Sequence, residues 1–313
     1  MFIDGLVVAK PSRTLFENMH KGGLTAANFT CSIWEGLEDT IVNIADWKEM
    51  LRENADILCQ IRSVDDIIKA RDSGKVGIIL GWQNSTGFGD YLPNVRLFHE
   101  LGLRVVQLTY NGANSSGGGC YESVDGGLTD FGRELIAEMN DVGILIDLSH
   151  VGAKTSDDVI KASRKPVAYT HCCPLSLHKH FRNKSDEQLR TIVEHGGFVG
   201  VAAVPHFLPK GSQTTVEDFA DVVAYVVNLL GEENVGIGTD LVEGQPMEFF
   251  DWISRDKGTG RSVTTISEFP VIRGFEQADR YPNIVAGLKR RFSDSQVEKI
   301  TSGNWIRFLS QVW

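Results

Sequence analysis

Residues 143–150 read GILIDLSH, an apolar run that ends in polar side chains. A continuous apolar run of this kind is typical of a β-strand that is covered on both faces. The segment before it, residues 130–141, has apolar side chains at the spacing of an amphipathic helix, and Gly143 stands where that helix should end. The pattern therefore predicts a helix followed directly by a buried strand, which is the repeating unit of a parallel sheet.

The same unit recurs along the chain. Eight apolar, β-rich runs are found at residues 2–9, 24–33, 76–84, 103–111, 144–150, 167–171, 198–204 and 235–241. Helical patterns lie between nearly all of them, at residues 39–55, 65–72, 93–101, 130–141, 154–163, 186–195 and 216–230. Eight alternating units predict a single (β/α)8 domain of the TIM-barrel type over residues 1–313. An open doubly wound sheet is the alternative, although no Gly-x-Gly-x-x-Gly turn follows the first run.

The last third of the chain adds a loop and closing helices to this pattern. Residues 243–280 form the longest irregular stretch and follow the eighth run, so we expect an active-site loop or lid there. Residues 284–292 and 295–312 are predicted to be helices that close the barrel. Two stretches, Ser185 to Gln188 and Ser293 to Gln296, have the form of a helix capping box.

Composition and charge restrict the class of protein. The chain has 313 residues, 42% of them hydrophobic and 23% charged, with a net charge of −10, which favours a soluble globular protein and disfavours a nucleic-acid partner. The five cysteines form no C-x-x-C pair, which favours a reducing compartment. No signal peptide and no run of about 18 apolar residues is seen, so we expect a cytoplasmic protein without a membrane partner.

Polar side chains follow several predicted strands at the point where each strand ends. In a β/α barrel the chemistry lies at the carboxyl ends of the strands, so these side chains are expected to face one site. They are Gln83, Tyr110, His150, His171 and Asp240.

His150 and His171 are the strongest candidates for metal ligands. Each follows an apolar strand, and a neutral imidazole on a rigid strand end is a good zinc ligand. The alternative is that each is a hydrogen-bonded histidine of the core.

A third ligand can be sought among three candidates. Asp240 is either a ligand, a general base for water or the N-cap of a helix in the next loop. Cys172 is a soft donor, although an inert buried thiol is the plainer interpretation. His178 and His180 form an H-x-H pair in a loop, where surface histidines are common.

Several segments together resemble the membrane dipeptidase (renal dipeptidase) family of the amidohydrolase superfamily. The segments are Leu108-Thr109-Tyr110-Asn111, residues 127–134 (GLTDFGRE), residues 146–151 (IDLSHV), Thr170-His171-Cys172, His180-Phe181-Arg182-Asn183, residues 236–240 (GIGTD) and Gly303-Asn304-Trp305. The resemblance implies a β/α barrel that holds two zinc ions bridged by a carboxylate, hydrolyses dipeptides and often forms homodimers. It further implies that His150 and His171 bind the second metal, that Arg182 holds the substrate carboxylate and that Asp240 manages the proton of the attacking water.

The chain departs from this family pattern at the first metal. The His-x-Asp pair of the family falls on Leu6 and Val8, and the bridging glutamate falls on Gly81, with Gln83 two residues on. The family's substrate-binding histidine on strand four is Tyr110. We therefore expect no zinc ion or one, rather than two.

The sequence thus predicts a dipeptidase-like hydrolase with a reduced metal site. Asp240 and Tyr110 are its predicted catalytic residues, and Arg182, Tyr110 and Gln83 are predicted to bind a small carboxylate-bearing amide or a related metabolite. A conventional zinc dipeptidase is one alternative. A non-catalytic barrel that binds or senses small carboxylates is the other.

Overall fold

The computed structural model describes residues 1–265 and 271–313. The strands in this part of the chain are β1 (Ile3–Val7), β2 (Ala26–Ser32), β3 (Leu58–Gln60), β4 (Val76–Trp82), β5 (Leu103–Gln107), β6 (Leu145–Asp147), β7 (Ala168–Cys172), β8 (Phe198–Val201) and β9 (Val235–Ile237). The α-helices are α1 (Arg13–Lys21), α2 (Leu37–Glu53), α3 (Val64–Ser73), α4 (Pro93–Leu101), α5 (Asp130–Val142), α6 (Ala153–Ala162), α7 (Asp186–Glu194), α8 (Val216–Leu230), α9 (Met247–Ile253), α10 (Tyr281–Leu288), α11 (Asp294–Glu298) and α12 (Asn304–Val312).

Eight of these strands form a closed parallel barrel in the order β1-β2-β4-β5-β6-β7-β8-β9. The ring closes between its first and last strands, where Val8 N–H donates to the Leu241 carbonyl at 2.9 Å and Asp240 N–H donates to the Leu6 carbonyl at 3.0 Å. The predicted (β/α)8 barrel with C-terminal helices is therefore confirmed. β3 was not predicted, and it pairs only with the first residues of β4, outside the ring.

Local sequence signals explain where several helices begin and end. The capping boxes predicted at Ser185 and Ser293 are both present, at the starts of α7 and α11. Gly143 ends α5 with φ at +83°, a conformation that glycine adopts without steric cost. This left-handed turn leads the chain directly from α5 into β6.

The C-terminal region differs in detail from the prediction. The helix expected over residues 295–312 is divided into α11 and α12 by a π-helical turn, Lys299–Gly303. The described part of the irregular stretch at 243–280 contains one short α-helix, α9, and two 3-10 turns, Asp256–Gly258 and Ala278–Arg280. Residues 266–270 lie outside the described part of the chain. No described helix is both long and apolar enough to cross a membrane.

Trp305 of α12 closes the amino-terminal end of the barrel. Its ring packs with Ile3, Phe198 and other inward-facing residues, and its indole N–H donates to the Ile237 carbonyl at 3.0 Å. A methyl group on Gly236 would lie 2.6 Å from the indole nitrogen, so only glycine leaves room for this ring. The opposite end, where the strands have their carboxyl termini, is left to form a site.

This contact predicts that Gly236→Ala destabilises the fold. The new methyl group would overpack the barrel floor, and such changes typically cost about 1–3 kcal/mol in the free energy of unfolding. Urea denaturation followed by fluorescence measures the effect. Gly126→Ala is the matched control, because no atom lies within 4 Å of the added methyl group there, and an equal loss in both variants would contradict the prediction.

Candidate active site

A cavity of about 70 Å³ lies at the carboxyl ends of the barrel strands. Five residues predicted for the site line it, namely Gln83, Tyr110, His150, Arg182 and Asp240. The sixth, His171, is fully buried, with its Nε2 3.1 Å from Nε2 of His150. The structure therefore brings these six residues together, five around the cavity and His171 directly behind His150.

The His150 ring is oriented by an amide. Asn111 follows β5 with a positive φ of 57°, and its Oδ1 lies 2.7 Å from Nδ1 of His150. Because an amide oxygen can only accept, Nδ1 carries the proton and Nε2 has a free lone pair.

The His171 ring is oriented through a buried acid. Asp147 accepts hydrogen bonds from both the backbone N–H and the hydroxyl of Ser149 and of Thr170, with the Thr170 hydroxyl at 2.6 Å. Since the Thr170 hydroxyl donates to Asp147, it accepts from His171 Nδ1, which lies 2.8 Å away. Nδ1 of His171 is thus protonated, and its Nε2 also has a free lone pair.

The two lone pairs point at each other, which is a disfavoured arrangement unless a cation lies between them. Burial and the charge of Arg182 hold the pKa of both imidazoles well below its usual value, so a shared proton is disfavoured. Two nitrogens bound to one zinc ion at ~2.0–2.1 Å would lie roughly 3.3 Å apart at a tetrahedral angle. The observed 3.1 Å separation therefore fits joint ligation of one metal ion.

The positions expected for a first metal have an apolar environment. Val8 belongs to a buried cluster with Ile33, Tyr110, Val242 and Phe250, and Leu6 is also buried. A side chain at Gly81 would collide with the amide of Asn28. Within residues 1–265 and 271–313, no group of three or more His, Cys, Asp or Glu residues is placed to hold a metal ion.

Asp240 lines the cavity three residues after the end of β9. Its backbone has a positive φ of 60°, which a short polar side chain tolerates better than most. Burial raises the pKa of its carboxyl to about 7, and Arg182 acts in the opposite direction. Near neutral pH this group can therefore both accept and donate a proton.

Asp4 of β1 supports Asp240 in the way that Asp147 supports His171. It accepts hydrogen bonds from the backbone N–H of Thr239 at 2.7 Å, from the Thr239 hydroxyl at 2.5 Å and from the Tyr281 hydroxyl at 2.6 Å. In both cases a buried aspartate fixes the threonine that directly precedes a functional residue. We call the two arrangements the Asp4–Thr239 clamp and the Asp147–Thr170 clamp.

The buried carboxyl of Asp4 predicts a pH effect on stability. Burial raises its pKa from 3.8 to about 6, and hydrogen bonds from Thr239 and Tyr281 partly oppose the shift. Because the folded state holds this proton more tightly than the unfolded chain, the stabilisation is complete below about pH 4 and is lost as the pH rises through 6. We expect Asp4→Asn, in urea titrations at pH 4 to 7, to lack this decline; equal slopes in both proteins would contradict the prediction.

Arg182 is a buried cation whose side-chain hydrogen bonds, among the described residues, go to neutral carbonyls. Its guanidinium donates to the carbonyls of Ser149 and His171, lies 5.2 Å from the ring centre of Phe207 and leaves its Nε–H unpaired. No carboxylate of the described residues forms an ion pair with it. Since a buried unpaired charge is costly, this arrangement is typical of a binding site for an anion.

Tyr110 is held as a neutral phenol against the His150 ring. Its ring stacks on His150 with centroids 4.2 Å apart, and Trp34 packs edge-on against it at 5.0 Å. Burial, with a further contribution from Asp240, raises the pKa of the hydroxyl above its ordinary value. Tyr110 is therefore suited to donate a hydrogen bond, as is the amide of Gln83, which donates to Thr30 at 3.0 Å.

The candidates for a third ligand differ in whether they reach the cavity. Cys172 packs in the hydrophobic core and does not line the cavity, and burial raises its thiol pKa to about 12. His180 lines the cavity, whereas His178 does not. Of the candidates, Asp240 and His180 therefore line the cavity, Asp240 with a carboxylate oxygen and His180 with an imidazole nitrogen.

Sequence reasoning missed several residues around the cavity. Tyr121, His206, Phe207 and Phe250 line it from loops and from α9. The roles of Asp4 and Asp147 were also missed. The sequence did contain one signal for these supporting aspartates, since a threonine directly precedes both His171 and Asp240.

Comparison with known proteins agrees with this architecture. Residues 11–257 match the family model "Membrane dipeptidase (Peptidase family M19)". Dipeptidase tcpJ of Claviceps purpurea is 29% identical over 280 residues, which are 88% of this chain and 60% of that protein, so the chain spans about three fifths of this relative's length.

Two solved structures are also similar. An amidohydrolase from Pseudomonas aeruginosa is 48% identical, with a TM-score of 0.98 over 100% of this chain and 96% of the other. A metallo peptidase from Rhodobacter sphaeroides, solved with a phosphinate mimic of L-Ala-D-Ala, is 20% identical and shares the fold, with a TM-score of 0.83 over 100% of this chain and 99% of the other. The range that matches the family model, residues 11–257, covers most of the chain, and His150, His171, Arg182 and Asp240 lie within it. This protein therefore belongs to the membrane dipeptidase family, peptidase family M19.

Proposed function

We propose that this protein hydrolyses a small amide that carries a free carboxylate, with a single metal ion held by His150 and His171. The observation that carries the proposal is the pair of converging Nε2 lone pairs, 3.1 Å apart, beside a cavity that is also lined by the buried Arg182, whose Nε–H has no hydrogen-bond partner among the described residues. Family membership supports it, since relatives such as tcpJ are named dipeptidases and a dipeptide is a small amide with a carboxylate. The family also implies zinc.

Substrate recognition is assigned to Arg182. The substrate carboxylate supplies a negative charge for this guanidinium, and the Nε–H, which has no partner among residues 1–265 and 271–313, donates to it. Water is excluded around the pair because Arg182 is only 2% exposed. Binding at this point orients the amide with respect to Asp240 and Tyr110.

Bond cleavage is assigned to Asp240 and Tyr110. Asp240 accepts a proton from the attacking water, whose oxygen forms a bond to the amide carbon, and returns it to the amine nitrogen as the C–N bond breaks. Tyr110 donates a hydrogen bond to the carbonyl oxygen as negative charge develops there. His150 and His171 would hold a zinc ion, which would supply Lewis-acid polarisation and acidify water. The products are a carboxylic acid and an amine.

The metal content tests this proposal. Protein purified without a chelator is expected to contain about one zinc ion per chain by elemental analysis, and His150→Ala and His171→Ala are each expected to lose it because one imidazole alone binds weakly. His178→Ala is the control that keeps the ion, since His178 does not line the cavity.

Two other outcomes would replace the proposal. Two tightly bound zinc ions per chain would indicate a conventional zinc dipeptidase. No bound zinc and no hydrolysis of any amide, with carboxylate binding retained, would indicate a binding protein.

A further inference from the structure

The charge of the cavity disfavours a free amino terminus on the substrate. Asp240 is the only acidic side chain among the described residues that line the cavity, and the proposed reaction needs it as the base. The other ionisable residues of the wall include Arg182, His150 and His180. A dipeptide would bring an ammonium group into this environment, where the described lining residues offer no carboxylate besides Asp240.

Apart from Asp240, the residues that line the cavity at the barrel closure are apolar. Val8 follows β1, Val242 follows β9, and Phe250 and Ile253 belong to α9, and all four line the cavity within one hydrophobic cluster. Arg182 instead contacts the carbonyls of Ser149 and His171 at the ends of β6 and β7. Since β8 and β9 separate β7 from β1, Val8 and the carbonyls that hold the guanidinium follow strands in different sectors of the barrel mouth.

We propose that the substrates are N-acyl amino acids, with an apolar acyl group in the sector of Val8, Val242, Phe250 and Ile253 and the amino-acid carboxylate on Arg182. This inference rests on the proposed function and adds that the acyl group lacks an amine. In the reaction, the oxygen of water bonds to the acyl carbon, the C–N bond breaks and the nitrogen takes up the proton. The products are a short apolar carboxylic acid and a free amino acid.

A matched pair of compounds isolates the amine. Propionyl-alanine is alanyl-alanine with the amino group replaced by hydrogen, so the two differ only in the feature in question. With the zinc-loaded full chain, and with D- and L-alanine at the carboxyl end, we expect kcat/KM to be at least tenfold higher for the propionyl compound of the preferred configuration. An alanyl compound that is hydrolysed equally well or better would overturn the inference.

A binding measurement tests the substrate class independently of the proposed hydrolysis. In metal-stripped protein, where hydrolysis does not interfere, calorimetry is expected to show at least tenfold tighter binding of the propionyl compound. If neither compound is hydrolysed with zinc, the proposed function fails, and the binding preference still decides the substrate class. Equal binding of the pair, or binding of neither, would count against an N-acyl substrate.

A charge introduced at the apolar sector provides a second readout. Ile253 is partly buried on α9, so Ile253→Asp places a carboxylate at the cavity wall, and Ile253→Asn is its neutral isostere. We expect the ratio of alanyl to propionyl binding to rise at least tenfold in the aspartate variant relative to the asparagine variant. Equal ratios in the two variants would show that this sector does not face the acyl group.

Discussion

Asp240→Asn is expected to lower kcat by about 10²–10⁴-fold, the usual contribution of a positioned general acid–base group. The amide is nearly isosteric with the carboxyl but cannot accept the proton of water. The carboxyl lines the cavity, and burial raises its pKa to about 7, close to the pH at which such a group transfers protons most effectively. Steady-state kinetics on an N-acyl amino acid or a dipeptide measures the effect.

Zinc analysis of the same variant separates two roles of Asp240. If the carboxyl is the base, Asp240→Asn keeps its metal and loses turnover. If the carboxyl is a third ligand, the variant loses metal as well. A variant that retains a tenth or more of the wild-type kcat would remove Asp240 from the catalytic assignment.

Arg182→Met is expected to lower kcat/KM by about 10²–10³-fold. Losing one partner of a buried charge pair typically costs about 2–5 kcal/mol, because the substrate carboxylate would then be buried without a counter-charge. Most of the loss should appear in KM, since Arg182 contacts the carboxylate and not the reacting bond. The kcat/KM of Arg182→Lys is expected to lie between those of wild type and Arg182→Met. Lysine keeps the charge but cannot bind the carboxylate with two parallel hydrogen bonds.

A substrate with its carboxylate converted to a carboxamide is the control for this prediction. Wild type and Arg182→Met should hydrolyse that compound at similar low rates, since neither can form the ion pair. If wild type cleaves the carboxamide as efficiently as the acid, Arg182 does not recognise the carboxylate. Thermal unfolding of both variants checks that they remain folded.

The barrel was predictable from sequence because its strands are long apolar runs between amphipathic helices. β3 was not predicted because it has only three residues and is defined as a strand by its pairing with the start of β4. The π-helical turn between α11 and α12 was not predicted either, since the segment at 295–312 has a continuous helical pattern. Such features depend on tertiary contacts that local sequence does not encode.

The site was predictable only in part, for a related reason. Residues at strand ends, such as His150 and Asp240, could be placed because a barrel gathers strand ends at one face. The supporting aspartates could not, because Asp4 meets Thr239 across 235 positions of sequence. Residues such as Phe250 reach the cavity from connections whose path the strand pattern does not specify.

The two clamps differ greatly in the length of chain that each one closes. The Asp147–Thr170 clamp joins residues 23 positions apart, whereas Asp4 contacts Thr239 and Tyr281 over separations of 235 and 277 positions. Long loops cost more entropy to close, and contacts of high sequence separation form slowly. During folding we therefore expect the histidine pair to assemble early within one contiguous segment, and Asp240 to reach its place only when β9 joins β1. A chain at that stage would already be able to hold its metal and not yet able to turn over substrate.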